Sequence, residues 1–180
     1  MAEGGPSHKR ANGPGATLEA EIVRHGAAWA GQVTDAMLER AAQSAFHSAA
    51  LSLSPGVHQV ALVLTDDEEM RTLNRTWRGK DAPTNVLSFP AGDTGATGFL
   101  GDVVLAHETT CLEAREQKLK LQDHVAHLVV HGVLHLLGFD HMTDGQAERM
   151  EELERAALAA LGVADPYAEE SVTRSAEVAP

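Results

Sequence analysis

An α+β domain is what this sequence predicts, and three observations predict it. Four apolar segments read as strands and about five as helices, in an order without the strict alternation of a doubly wound sheet. One helical segment, from about 121 to 137, is apolar on nearly every side and belongs in a core. At 180 residues the chain has the size of a single domain. The expected architecture is one compact unit, a mixed sheet of about four strands packed with about five helices.

Residues 1–15 are rich in Gly, Ala and Pro and hold no apolar run, so a disordered N-terminal extension is expected there. The domain is then expected over 16–167, with a flexible C-terminal tail over 168–180. TLEAEIV, 17–23, alternates apolar and polar residues as a half-buried strand does. From Thr34 to Leu53, apolar residues recur at threes and fours through Met37, Leu38, Ala41, Ala45, Phe46 and Ala49. That period predicts an amphipathic helix, which Pro55 and Gly56 stop. VHQVALVLT, 57–65, is apolar and β-branched, a second strand.

Thr65 followed by Glu68 predicts a capping box that opens the next helix. That helix carries Arg71, Arg75 and Arg78 and ends near Trp77, Gly79 and Pro83. NVLSFP, 85–90, reads as a strand closed by proline, AGDTGATG as a loop, and LGDVVLA, 100–106, as a fourth strand. Helices are expected over about 109–117 and 121–137, and a last one over 144–161 stops at Gly162.

The formal net charge of −12 argues against a general polyanion binder. Its distribution softens that objection, because the chain from Asp144 onward holds nine acidic and three basic residues, half of the net charge. Arg71, Arg75, Arg78 and Lys80 gather elsewhere, the arginines at helical spacings, and offer a local basic face. No stretch reaches the 18 or so apolar residues of a membrane span, so no membrane partner is expected. A single cysteine, Cys111, excludes an internal disulfide and a cysteine zinc site, which points to the cytoplasm.

The chemistry concentrates in HGVLHLLGFDH, 131–141. A spacing of four turns a helix by about 400° and advances it roughly 6 Å, so His131 and His135 stack on one face. Gly138 can take the left-handed conformation that ends a helix, and the turn brings His141 back toward the pair. Three neutral imidazoles suit Zn²⁺, one per chain, and leave one coordination position open, the mark of a catalytic rather than a structural site. The spacing is that of metzincin proteases, but the residue after the first histidine, their glutamate base, is Gly132 here. His127 and His131 form a competing pair at the same spacing, but they lack an evident third partner. His124 and His127 are expected to line a cleft or to be hydrogen-bonded on the helix. Asp102 and Asp140 are candidates to orient the ligand imidazoles.

RGKDAPTNVLSFP at 78–90, LGDVVL at 100–105 and HLVVHGVLHLLGFDHMTD at 127–144 together resemble the bacterial YbeY family of endoribonucleases, over about residues 57–167. The resemblance implies a compact α+β metallohydrolase domain with one zinc on the motif histidines. It also implies cleavage of single-stranded RNA, with a role at the 3′ end of small-subunit ribosomal RNA and in ribosome maturation and quality control. Small ribosomal subunits and their assembly proteins are the implied partners. By position the implied metal ligands are His131, His135 and His141, with Arg78 the basic residue of the cleft. Arg78 and His131 are then the catalytic candidates, and Arg71, Arg75 and Lys80 candidate RNA contacts. Two other readings share these features: an assembly factor acting mainly by binding through a zinc-braced surface, and a metalloprotease.

Overall fold

A computed structural model describes residues 15–49, 53–92 and 98–168. The expected extension and tail lie outside these residues except at Gly15 and Ala168, as does most of the 91–98 loop. The elements run β1 (Ala16–Arg24), α1 (Asp35–Ala49), β2 (Gly56–Thr65), α2 (Asp67–Arg78), β3 (Val86–Pro90), β4 (Phe99–Ala106), α3 (His107–Glu116), α4 (Leu121–Leu136) and α5 (Asp144–Ala160). Among the described residues, four strands and five helices match the expected α+β content. The sheet is mixed, in order β1-β2-β4-β3, with β1, β2 and β4 parallel and β3 antiparallel on the edge beside β4.

Both faces of the sheet are covered, which is why β2 reads as a nearly continuous apolar run rather than an alternation. Val60, Leu62, Leu64, Val103 and Leu105 face the larger core, shared with α1, α4 and α5. Val104, Ala106 and Leu87 face a smaller core closed by Met70 of α2. Trp29, in the connection after β1, is buried in the larger core and donates its indole N–H to the Thr65 carbonyl at 2.9 Å. Among the described residues, no helix is long and apolar enough to cross a membrane.

Two expectations about helix ends are corrected. α1 is described from Asp35 to Ala49, and Leu53, which the period included, is not helical. The box on Thr65 and Glu68 does not form: α2 is capped by Asp66, which accepts from the Glu69 N–H at 2.9 Å. Thr65 pairs with Ala106 inside the sheet, and that pairing holds it extended as strand, so the capping role passes one residue on. The Thr65 hydroxyl instead donates to the Glu69 carboxylate.

α4 lies close against β3 and β4, and Gly132 permits that approach. A Cβ there would sit 2.5 Å from Cγ1 of Val103 and 3.1 Å from Oγ of Ser88, which itself donates to the Gly132 carbonyl at 3.1 Å. Gly132→Ala is therefore expected to destabilise the fold by about 1–3 kcal/mol, the usual cost of an extra methyl in a packed contact. Urea denaturation measures it, and an unchanged midpoint would show that the helix can shift outward freely.

Candidate metal centre

His131 and His135 stand one turn apart on α4, which ends where Leu137 passes to Gly138 at φ +88°. The Gly138 N–H donates to the His135 carbonyl and the Phe139 N–H to the Leu134 carbonyl, the two bonds of a Schellman closure. The reversal delivers His141. Ligating nitrogens of the three imidazoles lie within 4.8 Å of one another, the one such group of three or more metal-ligating side chains among the described residues.

The hydrogen bonds around the rings identify which nitrogens are free. His131 donates Nδ1–H to Oε1 of Glu154 at 2.7 Å, and His135 donates Nδ1–H to the Phe139 carbonyl at 3.0 Å. A carboxylate and a carbonyl only accept, so each ring turns its unprotonated Nε2 inward. Those two Nε2 atoms face each other at 3.0 Å. Two lone pairs at that distance repel unless a cation lies between them. Ligands about 2.0–2.1 Å from a tetrahedral zinc are about 3.3 Å apart, so the donor set fits such an ion. Burial, and after it the neighbouring His131, pushes the His135 imidazole below the ordinary histidine value, keeping it in the neutral form that ligates.

Glu154, buried on α5, organises the wall behind the site. It accepts from His131, from His127 Nε2 at 3.1 Å and from the Tyr167 hydroxyl. Burial alone would raise its carboxyl, but the hydrogen bonds from His127, His131 and Tyr167 outweigh that and hold it far below the ordinary glutamate range. Burial and then Glu154 raise the Tyr167 hydroxyl, so it stays a donor. Sequence reasoning missed Glu154. Its signal is an acidic residue inside the apolar stripe Met150, Leu153, Ala157 and Leu158, a position that helical period assigns to the core.

Asp102 and Asp140 do not take the orienting role considered for them. Asp102 alternates with Val103 and so points to the α2 side of the sheet, away from α4, where burial raises its carboxyl. Asp140 accepts from the His141 backbone N–H at 2.8 Å, a turn contact rather than an imidazole contact. His124 and His127 are the hydrogen-bonded helix histidines expected, His124 donating to Glu113 at 2.9 Å and His127 to Glu154.

The imidazoles open into a cleft of about 610 Å³ lined also by Arg78, Asn85, Ser88, Asp140 and Met142. Arg78 reaches it because α2 stops there, its chain reversed by Gly79 at φ +68°. Arg71, Arg75 and Lys80 are not among the lining residues. Arg71 instead makes two bonds to Asp81, at 2.8 and 3.0 Å, and Arg75 lies 3.8 Å from the same carboxylate. The Asp81 contact holds Arg71 above its usual value, and Arg71 holds Asp81 below its own. The structure thus brings Arg78 to the histidines and leaves the other two arginines sharing one acidic partner. Gly132 faces the sheet and not the cleft, so a glutamate at that position, as a metzincin carries, has neither room nor access to the imidazoles.

The chain resembles known proteins along most of its length. The family described as Endoribonuclease YbeY matches residues 27–162. A protein named Endoribonuclease YbeY from Paramagnetospirillum magneticum is 48% identical over 161 residues, 86% of this chain and 98% of that protein. One of the same name from Parvibaculum lavamentivorans is 47% identical, over 83% of this chain and 85% of its own. The solution structure of TM1509 from Thermotoga maritima shares the fold at a TM-score of 0.53 and 22% identity, covering 82% of this chain and 98% of that one.

Proposed function

This chain belongs to the YbeY endoribonuclease family, and on that premise we propose that it is a zinc-dependent endoribonuclease of single-stranded RNA, with one metal held by His131, His135 and His141. The observation that carries the reading is the pair of inward-facing Nε2 atoms at 3.0 Å, with His141 beside them, in an open cleft that also holds Arg78. Hydrolysis of a phosphodiester needs an activated nucleophile and compensation of charge on the nonbridging oxygens. When bound, zinc supplies Lewis acidity and lowers the pKa of water toward about 7.

The chain's own residues do the rest. Glu154 and the Phe139 carbonyl fix the tautomers and directions of His131 and His135. Arg78 presents a planar fork that grips a phosphate bidentately and counters its charge. Arg71, Arg75 and Lys80 lie on or just beyond the same helix, outside the cleft, and serve at most as a docking face for the strand. Asp81 already balances the two arginines, so their contribution is smaller than that of Arg78. Family membership supports ribosomal RNA as the substrate, at the 3′ end of the small-subunit species, with the small subunit and its assembly proteins as partners in the cytoplasm.

Arg78→Ala is expected to lower cleavage of a single-stranded RNA oligonucleotide by about 10²-fold, the scale for one charge-stabilising group, while zinc content stays at one per chain. Metal analysis and cleavage on the same preparation test it. Full activity in the variant removes the phosphate role, and zinc bound without cleavage in the unmodified protein moves the assignment to a binding factor of ribosome assembly.

A further inference from the structure

A second hollow, of about 730 Å³, opens next to the metal cleft and shares Asn85, Val86 and His131 with it. Its chemistry differs. Arg78 lines the metal cleft, whereas among the described residues no lysine or arginine lines this one, and Glu113 and Asp165 do. A phosphate has no reason to enter it. Its walls are the apolar side chains of Val86, Leu119 and Leu128 together with the rings of His127 and Tyr167, whose centroids are 5.9 Å apart, edge to face. Leu119 is 42% exposed at the rim. Apolar side chains and rings, bordered by the polar groups of Asn85, Glu113, Gln117 and Asp165, suit a neutral aromatic heterocycle that hydrogen-bonds at its edge.

Glu113 supplies the acceptor beside Asn85. Its Oε2 accepts from Asn85 Nδ2 at 2.9 Å and His124 Nε2 at 2.9 Å, and its Oε1 from Asn85 alone at 3.2 Å. A carboxylate has about four acceptor sites, so Oε1 keeps capacity for one more donor. Asn85 touches both hollows and joins this acceptor to the metal cleft. We propose that the second hollow is a nucleobase subsite for a nucleotide next to the phosphate held at the metal centre, and that Glu113 selects a base bearing an exocyclic amino group, cytosine over uracil. The inference rests on the endoribonuclease reading and extends it to sequence preference. Cytosine offers its 4-amino group to the free acceptor of Glu113, and uracil sets a carbonyl oxygen against a carboxylate.

The test uses the full zinc-loaded chain and fluorescence anisotropy with three 2′-O-methyl pentanucleotides, which resist cleavage through the 2′ position: oligo-cytidine, oligo-uridine, and the same oligomer of 2-pyrimidinone riboside, which is cytidine without its amino group. Oligo-cytidine is expected to bind at least about fivefold tighter than the other two, and Glu113→Gln to reduce that preference to about twofold or less. Equal binding of oligo-cytidine and oligo-uridine overturns the proposal, as does a 2-pyrimidinone oligomer that binds like cytidine. A folded Glu113→Gln protein with its preference intact overturns it too. Should that variant fail to fold, the three oligomers on the unmodified chain decide. Cleavage of unmodified RNA is scored in parallel. Cleavage without base preference ends the subsite alone, and base preference without cleavage ends the nuclease reading while the subsite stands.

Discussion

His135→Ala is expected to lose bound metal and RNA cleavage together, each by more than about 100-fold. Partners that only support a metal-bound histidine already cost about 10–100-fold when removed, and His135 is one of three candidate ligands themselves. Its Nε2 faces that of His131 at 3.0 Å, and its Nδ1 is committed to the Phe139 carbonyl, so no other atom of the residue can substitute. The fold should survive, because the side chain is only partly buried and the larger core is built from its apolar neighbours on α4. Metal analysis, RNA cleavage and circular dichroism on identically prepared proteins check all three parts. A variant that keeps stoichiometric zinc would show that His131 and His141 suffice and that the three-imidazole assignment is wrong.

Glu154→Ala is expected to have the largest effect on stability, about 3–5 kcal/mol, with metal affinity falling about 10–100-fold. The loss is large because the buried carboxylate satisfies His127, His131 and Tyr167 at once, and its removal leaves three partly buried donors without their acceptor. Glu154→Gln keeps the volume and is expected to lose less stability, but its amide can no longer accept at both ends. The same residue predicts a pH dependence. Its folded-state value is depressed, so its stabilisation is fully present above the unfolded value of about 4.3 and is withdrawn as pH falls below it. Urea midpoints of the metal-free protein between about pH 7 and 3 should therefore fall more steeply for the unmodified chain than for Glu154→Gln. Parallel curves would remove Glu154 from the account of acid stability, and unchanged zinc affinity would remove it from the positioning of His131.

The identity and order of the elements were readable before any coordinates, because each rests on a local pattern. The period of α1, the apolar run of β2 and the glycine stop after α4 need no partner to be recognised. Errors fell where a neighbour decides. Thr65 and Asp66 each have an acidic residue three positions on, and only the pairing of Thr65 with Ala106 assigns one to the strand and the other to the cap. For the site, the three histidines follow from helical spacing plus one turn. Their supporting carboxylate does not, since Glu154 lies on another helix, 23 positions from His131. Asp102, 29 positions before His131, was set on the opposite face of the sheet by strand alternation.

Sequence by itself determined the α+β content, the convergence of His131, His135 and His141, and the family. All three depend on short-range geometry or on ordered motifs, which a linear chain displays directly. Tertiary structure alone decided that Arg71 and Arg75 share Asp81 outside the cleft, that Gly132 is glycine because β4 lies against it, and that Glu154 fixes the tautomer of His131. These are contacts between segments distant in the chain. A side chain's charge and a helix's period say what a residue can do, but which acceptor or wall stands 3 Å away is set only when the sheet and helices pack.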